Sequence, residues 1–309
     1  MKILVFGSAN IDRTYLVGHF VNIGETLSAR SMKLFCGGKG FNQAIAFVRA
    51  GSDVYFAGAV GDDGGMLIDT LKENGVNVDH LKQAPGPSGH AVIQVTPEGQ
   101  NSIIILAGAN GAITHEDVDQ VLNAFSAGDL VVLQNEISSV DYIIDQAKER
   151  GMIVAMNPSP FNEKIKSYDL SRVDYLLVNE VEATLLTGCS EPENMASVIH
   201  KKYPTSNLVL TLGCSGSIFV GTDGRVWTSG IYSTNAVDTT AAGDTYTGFF
   251  LAEVVKSGNI EVALKTAAIA SGISVSRPGA SQSIPSIQEV MEADEKKLTA
   301  FSASICKEV

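Results

Sequence analysis

Short apolar runs alternate with helix-like segments along most of the chain, and this alternation limits the fold more than any other feature. The runs are almost continuously apolar, as strands covered on both faces of a sheet are. Repeated strand–helix–strand units therefore predict an α/β fold with a largely parallel sheet and helices on both faces. The predicted strands are Ile3–Phe6, Val54–Ala57, Leu130–Leu133, Ile153–Met156, Tyr175–Val178 and Leu208–Leu212.

The predicted helices fall into two groups. Those between strands stop just before a glycine, the usual C-terminal cap, and they are Phe41–Ala50, Met66–Asn74 and Ser139–Arg150. The last third of the chain is predicted to be helical over Asp244–Lys256, Ile260–Ser274 and Ser286–Thr299.

Two segments do not follow this alternation of strands and helices. Residues 12–35 contain no convincing helix, and residues 90–106 alternate around a Pro-Glu-Gly-Gln turn in the manner of a β-hairpin. Extended segments inserted into an α/β unit predict a small separate sheet. Such a sheet is either an edge extension without a role or a lid over a ligand site.

Composition narrows the class of protein. Hydrophobic residues make up 45% of the 309 positions and charged residues 18%, which excludes a disordered chain. The net charge of −12 lacks the basic surface of a nucleic-acid binder. No apolar run reaches the length of a membrane span or of a secretory signal, and the four cysteines are scattered. We therefore expect a cytoplasmic protein with reduced thiols and no membrane partner.

The segment Asp238-Thr-Thr-Ala-Ala-Gly-Asp244 carries the strongest chemical signal. A loop of small residues entering a helix leaves several backbone N–H groups pointing at one spot, which makes an anion site. A carboxylate beside such a site suits phosphoryl transfer to a hydroxyl, because the loop stabilises charge while the acid accepts the proton. The alternative is that Asp244 is a simple helix cap.

Three weaker signals accompany it, each with a plain structural alternative. Gly37–Gly40 lets a backbone approach a ligand, with Asn42 on the first helical turn, although it fails the Walker pattern and suits an ordinary loop. Asn10 and Asp12 point the same way after the first strand, where they suit a polyol or an Asx turn. Asn179 and Glu182 suit water-mediated magnesium binding or a helix start.

Together these segments resemble the PfkB carbohydrate kinase family and, within it, the ribokinases. The resemblance covers nearly the whole chain in family order, and its most specific parts are DTTAAGD and GGKGxNQA. The matching motifs are GSANID (7–12), GET (24–26), GGKGFNQAIA (37–46), GDD (61–63), AGAN (107–110), NP (157–158), NEVEATLLTG (179–188), TLGCSG (211–216), DTTAAGDTYTG (238–248) and RPGA (277–280).

The resemblance implies a ribokinase-like, doubly wound α/β domain formed by 1–11, 36–88 and 107–309. The implied β-sheet lid is formed by 12–35 and 89–106, and a homodimer through the lid is the implied assembly. The implied reaction is ATP-dependent phosphorylation of a primary hydroxyl of a small sugar, with D-ribose giving ribose 5-phosphate as the leading candidate. The alternatives are a kinase for deoxyribose, a ketohexose or a nucleoside, and a non-catalytic sugar-binding regulator.

The resemblance also implies site residues. Asp244 is the implied catalytic base, and the backbone of Ala241, Ala242 and Gly243 is the implied anion hole. The implied sugar-binding residues are Asn10, Asp12, Gly38, Lys39, Asn42, Glu136 and Asp244, with Ala91, Ile93 and Ile105 of the lid closing over the sugar. Phe41 stands where ribokinases usually have Ala, and its bulk beside Asn42 leaves the exact sugar open.

The remaining implied ligands are ATP, Mg²⁺ and K⁺. Nucleotide binding is implied for Asn179, Thr211, Gly213 and Gly216, and Glu182 is implied to organise Mg²⁺ through water. The implied monovalent-cation site comprises Asp238, Thr240, Ser274, Arg277, Gly279 and Ser283.

Overall fold

A ten-stranded sheet forms the centre of the computed structural model, which describes residues 1–299 and 301–305. The strands of this sheet and of a second, smaller sheet are, in chain order, β1 (Ile3–Phe6), β2 (Asn10–Leu16), β3 (Ser31–Gly37), β4 (Val54–Val60), β5 (Asn77–Gln83), β6 (Gly89–Val95), β7 (Asn101–Leu106), β8 (Leu130–Gln134), β9 (Ile153–Asn157), β10 (Tyr175–Asn179), β11 (Asn207–Thr211), β12 (Ser217–Val220), β13 (Arg225–Ser229) and β14 (Phe301–Ile305).

Helices cover both faces of the large sheet. They are α1 (Lys39–Arg49), α2 (Gly65–Glu73), α3 (His115–Leu122), α4 (Val140–Glu149), α5 (Glu180–Thr187), α6 (Pro192–Lys202), α7 (Ala242–Ser257), α8 (Ile260–Val275) and α9 (Ile287–Met291). One apolar core lies against α3, α4, α5 and α6, and the other against α1, α2, α7 and α8. The predicted doubly wound α/β architecture is therefore confirmed.

The order of strands in the large sheet is β14-β13-β12-β11-β10-β9-β8-β1-β4-β5. From β5 to β11 all neighbours are parallel, and β12, β13 and β14 extend the sheet antiparallel. The chain leaves β1 toward β4 and later returns to its other side as β8. Ligands bind at such a reversal point, outside the carboxyl ends of the strands. The crevice above β1 and β8 is thus the expected place for a site.

The last predicted helix, Ser286–Thr299, is wrong. α9 ends at Met291, and a new short turn begins where the Asp294 side chain accepts a hydrogen bond from the N–H of Lys296. The N–H of Thr299 then donates to Ile231 O at 2.9 Å, which directs the chain into β14. A helix-capping aspartate inside the segment is the physical reason that one long helix does not form.

The smaller sheet has the order β3-β2-β6-β7 and stands apart from the large one. It contains the two segments that the sequence predicts to be extended, with β2 beginning at Asn10 and β3 ending at Gly37. β7, at one edge of this sheet, is exposed throughout, including Ile103, Ile104 and Ile105. A separate small sheet is thus confirmed.

Within residues 1–299 and 301–305, no helix is long and apolar enough to cross a lipid bilayer. The thiols of Cys36, Cys189 and Cys214 are free, and Cys306 lies outside the described residues.

Helices α1 and α7 are in close contact at Gly248. A Cβ added there would clash with the Cβ of Ala46 and lie 3.0 Å from the N atom of Phe47. Both neighbours belong to the helix body, so neither gives way by rotating a side chain. The glycine therefore sets the distance between the two helices that carry the site described below.

We predict that Gly248→Ala destabilises the protein by roughly 1–3 kcal/mol, because the extra methyl overpacks the interface between α1 and α7. This loss is expected although alanine favours helices over glycine by about 1 kcal/mol. Urea unfolding measures this change in the free energy of unfolding. The control is Gly65→Ala at the start of α2, where an added Cβ meets nothing within 4 Å. Equal stabilities for the two variants would contradict the close approach at Gly248.

Candidate active site

Asp244 is buried as the third residue of α7, and two amides from α1 hold its carboxylate. Asn42 Nδ2 donates to Oδ2 at 3.0 Å, and Gln43 Nε2 donates to Oδ1 at 2.9 Å. Adjacent residues on one helix thus bond the two oxygens of one carboxylate. The group is fixed in direction, and its oxygens keep lone pairs with which to accept a proton.

The loop before α7 contains a residue with a strained backbone. Ala241 adopts φ 61°, a left-handed conformation that is rare for residues other than glycine. The first N–H groups of a helix lack partners within it. The N–H of Ala242 donates to Thr239 O at 3.2 Å, and a Cβ at Gly243 would meet nothing within 4 Å. The helix start is therefore open toward a ligand at Gly243.

A cavity of about 190 Å³ lies against this helix start. It is bounded by residues predicted for catalysis and for sugar, nucleotide and magnesium binding, namely Lys39, Asn179, Glu182, Thr211, Ala241–Gly243 and Asp244. Gly213 and Gly216 do not line it. Gly216 has a φ of 94°, and a Cβ added there would clash with Ser229 O. A Cβ added at Gly213 would meet nothing within 4 Å.

Asn179 and Glu182 form a reciprocal cap at the start of α5. Asn179 Oδ1 accepts from the N–H of Glu182 at 2.9 Å, and Glu182 Oε2 accepts from the N–H of Asn179 at 3.0 Å. Asn179 Nδ2 and Asn157 Nδ2 also donate to the Glu182 carboxylate. A buried carboxylate with this many donors is oriented at the cavity edge. It suits a magnesium ion that keeps its own water ligands.

The amide of Asn10, at the beginning of β2, is held by Asn110. Asn110 Nδ2 donates to Asn10 Oδ1 at 2.7 Å, and Asn110 Oδ1 accepts from the N–H of Ala9 at 3.1 Å. Because Asn10 Oδ1 is engaged, the Nδ2 group of Asn10 is the part that remains to donate to a ligand.

Glu136 follows β8 and lies across the crevice from β1. Its Oε2 accepts from Ser8 Oγ and, at 2.8 Å, from the N–H of Lys39, which leaves Oε1 for a ligand. Burial raises the pKa of Glu136, although the bonds from Ser8 and Lys39 oppose this. Burial also raises the pKa of Asp12, to about 7, and the nearby Glu136 charge adds to the effect.

The Lys39 ammonium has three acidic neighbours. Burial lowers its pKa, but the charges of Asp244, Glu136 and Glu182 outweigh burial and raise the pKa above its usual value. Lys39 is therefore a cation that lies near the carboxylates of Asp244, Glu136 and Glu182. Its neighbour Phe41 is fully buried in the core on the α1 side of the sheet.

Three predicted lid residues share one face of the smaller sheet with Asp12. Asp12 is paired with Ala91, Ala91 is paired with Ile105, and Ile93 is two residues along the same strand. Side chains at paired and alternate positions point to the same side of a sheet. The structure thus brings the acid and the three apolar residues to one surface. Gly38, with φ 93°, packs against the Ser8 backbone where this surface meets α1.

The residues predicted for a monovalent cation fall into separate clusters. Asp238 Oδ1 accepts from the N–H of Thr240 at 2.9 Å, and Asp238 Oδ2 accepts from the N–H of Gly279 at 3.0 Å. Partial burial works to raise the pKa of Asp238, but these bonds prevail and lower it. The carboxylate therefore joins the loop before α7 to the loop after α8.

The other predicted cation ligands lie beside this junction. Ser274 and Ser283 are buried, and their hydroxyl oxygens are 2.8 Å apart. The Arg277 guanidinium instead donates to Glu289, which is outside the predicted set, at 2.6 Å. The Arg277 side chain is therefore not brought together with the rest of the set.

Sequence reasoning missed four residues that hold the site together: Ser8, Gln43, Asn110 and Gln134. Gln43 and Asn110 stand inside the GGKGFNQAIA and AGAN motifs, so the motifs could have drawn attention to them. Gln134 ends β8, and the rule that sites lie at the carboxyl ends of strands could have found it. Ser8 stands inside the GSANID motif directly after the first strand, so that motif could have drawn attention to it.

Comparison with known proteins gives one consistent result. The family model described as pfkB family carbohydrate kinase matches residues 1–287. A ribokinase of Haemophilus influenzae is 33% identical over 298 residues, 93% of this chain and 96% of that protein. A deoxyribokinase of Salmonella typhi is 33% identical over 303 residues, 94% and 98% of the two chains. The structure of an Arabidopsis thaliana ribokinase complexed with ribose and ATP superimposes with a TM-score of 0.83 at 31% identity, covering 94% and 97%.

We predict that Asp12→Asn makes the protein more stable at pH 8. The folded-state pKa of about 7 exceeds the ordinary 3.8, so folded protein retains a proton that unfolded chain has lost between these values. Stability from this group is therefore present below pH 4 and is lost as pH rises to 7. Urea unfolding from pH 4 to 8 should show the variant gaining on the natural protein.

The control for this prediction is Asp69→Asn, an exposed position on α2. Its stability difference from the natural protein should stay constant over the same pH range. A constant difference for Asp12→Asn as well would show that burial does not perturb this carboxyl.

Proposed function

The chain belongs to the pfkB family of carbohydrate kinases, and on that premise we propose that it transfers the γ-phosphoryl group of ATP to the primary hydroxyl of a small sugar, with D-ribose at O5 as the leading substrate. The observation that carries the proposal is the buried Asp244 carboxylate, fixed by Asn42 and Gln43 at a helix start that borders a cavity. A sugar-binding regulator would need neither this carboxylate nor the open helix start.

In the proposed reaction Asp244 acts as general base. The sugar hydroxyl gives its proton to the carboxylate while its oxygen bonds to the γ-phosphorus. The bond between that phosphorus and the bridging oxygen breaks, and ADP leaves with the bonding pair. The backbone of Ala241, Ala242 and Gly243 and the α7 dipole stabilise the charge on the transferring group.

The proposed sugar pocket offers donors and acceptors suited to a polyol. Asn42 Oδ1 is buried and has no hydrogen-bond partner within the described part of the chain, so it is available to accept from a sugar hydroxyl. Asn10, Asp12, Lys39 and Glu136 supply further polar groups, and Gly38 lets the backbone approach. The Arabidopsis relative complexed with ribose supports ribose.

Deoxyribose is the second candidate sugar. A specific observation favours it, since the Salmonella relative named deoxyribokinase is as similar as the Haemophilus relative named ribokinase. Ribose is preferred because its additional hydroxyl gives a partly buried acid such as Asp12 one more hydrogen-bond partner. A polar pocket rejects analogues that leave its groups unpaired.

For the nucleotide we propose Asn179, Thr211, Gly213 and Gly216 as binding residues. Mg²⁺, when bound, neutralises phosphate charge and orients the γ-phosphoryl group. The several amide donors on Glu182 support a role for this carboxylate in ordering water around the ion, at the cavity edge. Lys39 adds a permanent positive charge on the sugar side. ATP as donor supports a cytoplasmic location.

We also propose a monovalent cation, K⁺, beside the anion hole. The candidate ligands are Asp238, Thr240, Ser274, Gly279 and Ser283, with Arg277 contributing only through its backbone. One carboxylate among neutral oxygens suits a large, weakly hydrated ion better than magnesium, which demands a tight octahedron.

The lid formed by 12–35 and 89–106 is proposed to close over the sugar with Ala91, Ile93 and Ile105. Its exposed outer strand, with Ile103 to Leu106, supports a homodimer that pairs lid to lid.

We predict that a coupled assay for ADP detects turnover with ribose and, at a lower kcat/KM, with deoxyribose, but not with nucleosides. Asp244→Asn should lower kcat on the preferred sugar by roughly 10²–10⁴-fold, because general-base catalysis is lost. Urea unfolding should show that the variant remains folded.

The matched control is Glu261→Gln, an exposed first-turn acid of the neighbouring α8 that is bonded to Lys265. It should keep natural turnover. If a ketohexose or a nucleoside were the best substrate, the assignment of ribose would be wrong. If Asp244→Asn kept a near-natural kcat, the assignment of Asp244 as the base would be wrong.

We predict that millimolar potassium raises kcat at saturating ATP and sugar, and that sodium does so poorly. A caged ion would fix the loop whose N–H groups stabilise the transferring phosphoryl group. Assays at matched ionic strength test this. Asp238→Asn should remove the difference between the two ions. Identical kcat in potassium and sodium would leave Asp238 as a structural link alone.

A further inference from the structure

We propose that Gln134 and Gln43 form a relay of two amides that positions Asp244 for proton transfer. The inference rests on the proposed function of Asp244 as the base, and it assigns positioning roles to two residues outside the predicted site. Both glutamines are fully buried, and they come from opposite parts of the fold: Gln43 from α1 and Gln134 from the end of β8.

The relay consists of two short hydrogen bonds in series. Gln134 Nε2 donates to Gln43 Oε1 at 2.7 Å, and Gln43 Nε2 donates to Asp244 Oδ1 at 2.9 Å. The carboxylate is thus connected to a central strand of the sheet as well as to α1. A rigid strand end is a better reference for a catalytic group than a helix start preceded by a strained loop.

The direction of the relay follows from the charge at its end. An ionised carboxylate accepts only, so Gln43 must present its Nε2 group to Asp244 and its Oε1 to Gln134. Gln134 must then present Nε2 in turn. Reversing either amide would set two oxygens against each other. Each bond therefore polarises the next, and the relay ends on the carboxylate that is proposed to accept the proton.

Stability alone does not account for Gln134. Its Oε1 is buried and has no partner in residues 1–299 and 301–305, an arrangement that costs free energy on folding. Gln134 Oε1 lies directly against Gly7, where an added Cβ would clash with it. An apolar side chain would avoid the unpaired oxygen. The amide of Gln134 is explained by the hydrogen bond that its Nε2 group donates to Gln43.

The expected effect is on turnover and not on binding. Asn42 faces Oδ2 and belongs to the proposed sugar pocket, whereas Gln43 and Gln134 lie behind Oδ1. Losing the relay frees the carboxylate to rotate away from its reactive direction. Small misplacements of a reacting group lower rates by factors of ten to a hundred.

Gln134→Met tests the relay because it keeps the length of the side chain and removes the donor. We expect kcat to fall roughly 10-fold, with the KM values for sugar and ATP within about twofold of natural. Gln43→Met should lower kcat at least as much. The matched control is Asn135→Leu, which removes the next buried amide on the chain, bonded to Pro160 O and Tyr168 OH instead. It should reduce stability in urea and leave kcat nearly unchanged.

A second readout does not depend on activity. In protein labelled with ¹⁵N at glutamine side chains, the Gln43 amide protons should exchange slowly in the natural protein and fast in Gln134→Met. Asn135→Leu should leave them slow. Natural kcat together with slow exchange in Gln134→Met would overturn the relay. Absence of turnover with every sugar in the natural protein would instead overturn the proposed function, while the exchange data still decide the relay.

Discussion

The contact between α1 and α7 at Asp244 is the interaction on which the rest of the site depends. Two neighbouring amides, Asn42 and Gln43, meet both oxygens of one buried carboxylate, so the helices must lie close and in one register. Gly248 permits that approach. An unpaired buried carboxylate would be costly, and the pair of amides both stabilises it and fixes its direction.

The strand order explains why groups distant in sequence meet at this place. β1 lies between β4 and β8, so the loops that follow β1 and β8 open onto one crevice. Ser8 comes from the first loop and Glu136 from the second, and they bond each other there. The small sheet grows from the same region, since β2 begins at Asn10. The residues predicted to bind the sugar, to form the lid and to act as the base thus meet at one reversal of the chain.

The central fold could be predicted from the sequence because its signals are local. The six predicted strands lie within three residues of observed ones, as continuous apolar runs between capped helices allow. β5 was missed because its sequence, NVDHLKQ, is largely polar at the sheet edge. β12 and β13 were also missed, because they are short and antiparallel. The last helix was predicted too long, because the turn that follows α9 is marked by a single residue, Asp294.

Candidate site residues were predictable where a motif contains them, as for Asp244 and Asn42. For Gln134 only its place at the end of β8 could be predicted, because its contact with Gln43 spans 91 positions and no local pattern encodes it. The raised pKa of Asp12 could not be predicted either, since it results from burial and from the charge of Glu136 in the loop after β8.

The position of the phosphoryl group on the product tests the central claim most directly. ³¹P NMR of the sugar phosphate formed from ATP and ribose should show phosphorus coupled to the two protons of the terminal carbon, C5. That result follows if Asp244 deprotonates the primary hydroxyl. Coupling to the anomeric proton or to a secondary carbon, or release of free phosphate alone, would contradict the account.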